Sequence, residues 1–238
     1  MNIANLKMQI VKCKILPFSF CSSAMLTALS LSKGILPFAL LALSGCVSFQ
    51  AGGEIQRGRV ALMFGDPNVA LAHFQRAAEL NPDYRYDLSI LSQGVWTYVG
   101  RAYYAAGKLP EARKFLERAR TRYGDDDLAK LYLGLTLARD GDRPRGLKEI
   151  AAGFKGLEAW FDRLDRYHPE APYWDPGKTV RAEIQSNLAM ISGKEIDSSQ
   201  LIANAEWLGR TMEEEIDLSY RQRIFEEEHD GDDDGNPN

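Results

Sequence analysis

The sequence predicts an all-α protein: a helical-repeat solenoid of about three helix-turn-helix units, followed by C-terminal capping helices. Two observations carry that reading. Glycines, prolines and small residues recur in fixed register through the first two thirds of the body. Apolar residues then recur at helical spacing in two further stripes, bounded by turn residues.

The register is set by Gly58, Gly100 and Gly134. Seven residues after each stands another glycine: Gly65, Gly107 and Gly141. Pro67, Pro110 and Pro144 follow within three residues of these. Ala70, Ala112 and Gly146 come next, then Phe74, Leu116 and Ile150, then Ala77, Ala119 and Gly153. In each unit the first glycine lets two antiparallel helices approach, and the second supplies a turn that needs positive φ. The proline suits the first turn of the second helix, where its missing donor costs nothing. The second and third units are offset by 34 residues. The first and second are offset by 42, which implies a longer helix or an inserted turn around Asp83–Ser92.

This pattern, with Trp96 and Tyr103 four before and three after Gly100 and with Pro82 closing the first unit, resembles the tetratricopeptide repeat family over about residues 51–160. The third unit lacks the closing proline, so its second helix is expected to run to about Arg166. Prolines at 169, 172 and 176 then break the helix in an aromatic loop, residues 167–177. Val180, Ile184, Leu188 and Ile191 form one stripe. Leu201, Ala205, Leu208, Met212, Ile216, Tyr220 and Ile224 form the next, after a capping Asp197-Ser198-Ser199. Such helices cap the open end of a repeat stack.

Ahead of the repeats lies a segment of different character. Residues 1–45 hold four lysines (Lys7, Lys12, Lys14, Lys33), no acid, and apolar runs too short to span a bilayer, the pattern of a secretory signal. The segment ends in Leu43-Ser44-Gly45-Cys46, which resembles the lipobox of bacterial lipoproteins. That resemblance implies cleavage before Cys46 and acylation of its thiol, with residues 46–50 as a lipidated linker and two or more chains giving lasting attachment. Val47, in place of an aspartate, implies the outer membrane, facing the periplasm. Met25 offers a second start that shortens the leader.

Without the leader the chain carries 25 basic against 33 acidic residues, a formal charge of −8, which disfavours nucleic acid and anionic lipid as partners. The domain order expected is therefore signal peptide 1–45, linker 46–50, repeats 51–166, loop 167–177, capping helices 178–225 and a disordered acidic tail 226–238.

No enzyme, cofactor or metal site is expected. Phosphate loops, nucleophile elbows and cysteine–histidine arrangements are missing from the sequence, and only His73, His168 and His229 are present. The tail run Asp230–Gly235 matches half of a calcium loop, but the chain ends before the glutamate such a loop needs.

The repeat resemblance also implies a concave groove lined by the first helix of each unit. Residues matching its groove positions are Ile55 and Arg59, Thr97 and Arg101, and Leu131 and Leu135, with Tyr104 and Arg139 one turn away. Arg59, Thr97, Arg101, Tyr104 and Arg139 are the candidate site, suited to an envelope protein or peptide with an acidic segment. Two outcomes stay open: the arginines meet a partner, or they pair with acids of their own chain. Leu131 and Leu135 imply that one end of the groove is filled, and the C-terminal helix is the candidate occupant.

The function implied is a membrane-anchored periplasmic interaction scaffold or adaptor in envelope assembly, secretion or transport. The alternative is a small-ligand-binding component of a periplasmic transport system, with Trp160, Phe161, Tyr167, Tyr173 and Trp174 as pocket candidates. Exposed Arg59 and Arg101 favour the first, and a preformed pocket reached from the groove favours the second.

Overall fold

The computed structural model describes residues 36–87, 91–193 and 196–230. The leader residues 1–35 and the tail residues 231–238 lie outside the described residues. The chain divides into two units, Met1–Ser44 and Gly45–Asn238, and the repeats lie in the second.

Three helix pairs form the stack: the part of α1 (Leu36–Met63) from Gly45 onward with α2 (Pro67–Leu80), α3 (Val95–Ala105) with α4 (Leu109–Arg122), and α5 (Asp127–Arg139) with α6 (Arg143–Tyr167). A 3-10 turn at Ala171–Tyr173 leads into α7 (Thr179–Ser192) and the long α8 (Ser198–Asp230). Among the described residues no helix is long and apolar enough to cross a membrane.

The spacing of small residues explains each pair. A Cβ on Gly58 would sit 2.3 Å from the Phe74 ring, one on Gly100 2.5 Å from Leu116, and one on Gly134 2.5 Å from the Ile150 backbone nitrogen. Only glycine allows these helices to pack so closely. The intervening turns use Gly65, Gly107 and Gly141 at φ of 80°, 72° and 97°, as expected from the sequence. Pro67, Pro110 and Pro144 each occupy the first turn of the second helix. Asp66 and Asp126 cap α2 and α5 by accepting from Val69 N (3.1 Å) and Ala129 N (2.9 Å).

The 42-residue offset is an inserted turn, as one of the two expectations had it. Between α2 and α3 the chain forms a short antiparallel ladder, β1 (Arg85–Tyr86) with β2 (Gln93–Gly94). It delivers Gln93 to the interior.

The core follows the apolar stripes. Phe74, Leu116, Ile150 and Phe154 are wholly buried between the helix pairs, and Leu201, Ala205, Leu208, Met212 and Ile216 of α8 are buried on the same terms. Burying one such side chain contributes about 1.5–3 kcal/mol. The Pro-rich loop is held by Asp175, whose carboxylate accepts from Val180 N and Arg181 N, both at 3.0 Å. Helix α8 continues to Asp230, so the backbone stays helical five residues into the segment expected to be a free tail.

Candidate functional site

The concave face is lined by α1, α3 and α5, and α8 lies in it. Glu213, on α8, is the centre of contact. Arg59 Nε donates to its Oε2 at 2.7 Å, and Arg101 Nη1 and Gln93 Nε2 (2.8 Å) both donate to its Oε1. Arg59 also donates to Gln56 (2.9 Å) and the Glu213 carbonyl (3.2 Å), and pairs with Asp217 at 3.0 Å. Arg101 donates to Gln93 Oε1 at 2.7 Å. The guanidinium of Arg101 lies over the rings of Tyr132 (4.7 Å) and Tyr98 (5.6 Å), and that of Arg59 over Tyr86 (5.4 Å). Two turns earlier on α8, Glu206 accepts from Tyr104 OH and pairs with Arg139 at 2.5 Å. Gly209 permits the approach, since a Cβ there would lie 2.5 Å from Tyr132 OH.

The electrostatics follow from this geometry. Burial alone disfavours a charged Glu213, but Arg101 and Arg59 overcome it and hold its pKa at about 2, below the ordinary 4.5. Burial likewise disfavours both guanidiniums, and Glu213 reverses that, holding Arg59 and Arg101 above their ordinary values. Burial, reinforced by the charge of Glu213, pushes the Tyr98 phenol well up, so it stays a neutral hydroxyl.

Of the five residues expected at the groove, the structure joins four in two clusters. Arg59 and Arg101 meet at Glu213, and Tyr104 and Arg139 meet at Glu206. Of the two outcomes left open, the arginines pair with acids of their own chain: Arg59 is 1% exposed and Arg101 2% exposed, because α8 covers them. Leu131 and Leu135 are wholly buried, consistent with a filled end. Thr97 belongs elsewhere. It is wholly buried and donates to Asp126 at 2.6 Å, where the same carboxylate accepts from Gly94 N at 3.0 Å. Thr97 therefore fastens α3 to the start of α5 and does not line the groove.

Of the aromatic set, three members pack together in the core, while Trp160 and Tyr167 also border a cavity beside His168. Trp160 packs edge-on against Phe161 and Trp174, each at 4.8 Å, and all three are buried in the core, while Tyr167 is exposed. The sequence reading missed Gln93, Glu206 and Glu213. The acids stood beside the α8 stripe in plain view, but nothing local marks which of them turns inward.

His73 pairs with Glu54 at 2.7 Å, and His168 lies 3.9 Å from Glu170. Among the described residues no group of three or more His, Cys, Asp and Glu is placed to hold a metal ion.

Paired antiparallel helices stacked in register, with a concave face, define a helical-repeat protein of the interaction class. Residues 61–133, from the end of α1 into α5, match the family model described as tetratricopeptide repeat. Repeats of this kind typically serve protein–protein interaction and carry no catalysis. Comparisons with curated proteins and with solved structures each gave no match.

Proposed function

We propose that this chain is a lipid-anchored scaffold or adaptor of the bacterial cell envelope, tethered through Cys46 to the outer membrane and binding an envelope protein from the periplasmic side. The observation that carries the interaction part is the tetratricopeptide stack itself. The anchor rests on Leu43-Ser44-Gly45-Cys46 at the end of a basic-then-apolar leader. The groove arginines add nothing to this reading, because both are buried against Glu213 of the chain's own α8.

The test is in-cell crosslinking followed by purification, wild type beside Cys46→Ser. The proposal expects one envelope protein to be captured by wild type, with wild type in the membrane fraction and Cys46→Ser released from it. A wild-type chain found in the soluble fraction sinks the anchor, and an absence of any crosslinked protein sinks the scaffold.

A second reading, a small-ligand component of a periplasmic transport system, is favoured by one observation. A cavity opens beside the arginine cluster, between α8 and the groove wall.

A further inference from the structure

The cavity measures about 290 Å³ and lies between α1, α3, α5 and α8. Its wall includes Tyr98, Arg101, Tyr104, Tyr132, Arg139 and Arg210. Two polar atoms of this wall are buried without a hydrogen-bond partner among the described residues: the hydroxyl of Tyr98 and Nε of Arg101. Tyr98 is 1% exposed and Arg101 2% exposed. Neither atom is placed to donate to Glu213 or Gln93, the nearest buried acceptors of the cluster. Leaving a buried donor unpaired is costly, so two of them on the wall of one cavity call for an occupant.

The chemistry of that occupant follows from the donors. Arg101 Nε can only donate, and Tyr98 is held as a neutral phenol able to donate, so the missing group is an acceptor. Around it, the rings of Tyr104 and Tyr132 with Leu62 and Met63 form an apolar wall. The lining carries four arginines (59, 101, 139, 210) against three glutamates (206, 213, 214), and Asp217, paired with Arg59 at 3.0 Å, balances the fourth. Arg210 is exposed at the rim, one turn from both Glu206 and Glu214 on α8. The volume, near the lower end for ligand sites, suits a small molecule.

We propose that this cavity binds a small organic carboxylate. One end of the carboxylate accepts from Tyr98 OH and Arg101 Nε, the body lies against Tyr104 and Tyr132, and Arg139 and Arg210 stand at the rim. Both donors are shielded from water as the side chains stand, so entry requires a rotamer shift of the kind common on binding. This site rests on the second reading above, and the crosslinking outcome for the scaffold is independent of it.

The test titrates the purified chain with benzoate, phenylacetate, pyruvate and 2-oxoglutarate, each to roughly 10 mM, with benzamide as the uncharged control, by calorimetry. At least one acid is expected to bind with Kd below about 1 mM, and benzamide at least tenfold more weakly. Tyr98→Phe is expected to lose about tenfold in affinity for that acid, while its unliganded midpoint of thermal unfolding equals or exceeds wild type. That opposite pair of shifts separates a ligand contact from a structural role. Binding of none of the four acids, as when water alone fills the space, overturns the proposal. So does equal binding of benzamide, or of the acid to Tyr98→Phe.

Discussion

Replacing Glu213 by glutamine keeps the volume of the side chain and removes its charge from between two buried guanidiniums. Its folded pKa of about 2 against an ordinary 4.5 corresponds to about 3 kcal/mol of stability at neutral pH. Breaking a buried ion pair from one side gives a similar figure, about 3–5 kcal/mol. For a folded unit of this size, Gly45–Asn238, about 3 kcal/mol lowers the midpoint of unfolding by roughly 6–12 °C. The sign with pH is fixed, because the folded pKa is depressed. The contribution is fully present above pH 4.5 and is lost as pH falls through about 2. Denaturant melts of wild type and Glu213→Gln across pH 7 to 2.5 measure it. The gap should be widest at pH 7 and should narrow below pH 4.5. A variant within about 1 kcal/mol of wild type at pH 7, or a gap unchanged at low pH, would refute the claim that Glu213 is ionised and buried between Arg59 and Arg101.

Other perturbations read other parts of the structure. Gly134→Ala drives a methyl into backbone 2.5 Å away and should cost about 1–3 kcal/mol in denaturant melts, whereas Gly53→Ala, on an open face of α1, should be neutral or add up to ~1 kcal/mol. Asp126→Ala removes the α5 cap and strands Gly94 N and the Thr97 hydroxyl, so a loss of about 3 kcal/mol or more is expected by the same melts. Tyr98→Phe deletes a buried hydroxyl that has no partner and should raise unliganded stability by about 1 kcal/mol.

What could be read from the sequence was what is encoded locally. Gly65, Gly107 and Gly141 announce their turns because positive φ is a property of one residue, and Pro67, Pro110 and Pro144 mark helix starts for the same kind of reason. The α8 stripe showed that this helix buries a face, without showing against what. The site is not local. Arg59 and Glu213 are 154 residues apart and Arg101 and Glu213 are 112 apart, so their meeting depends on where α8 lies once the stack has formed. Thr97 illustrates the limit of carrying a groove position over by resemblance. The hairpin inserted ahead of α3 brings Gly94 beside Asp126, and Thr97 joins that buried cluster. Gln93 reaches Glu213 through the same insertion, which no repeat pattern encodes.

Whether α8 closes the concave face in solution is read most directly by native-state hydrogen exchange along Leu201–Ile216, compared with α3 and α5. Buried stripe residues and a shared ion cluster predict that α8 opens only with the repeats, its amides protected to within about tenfold of theirs. Exchange of α8 orders of magnitude faster, with α3 and α5 still protected, would mean that the helix leaves the groove freely and that the concave face is open.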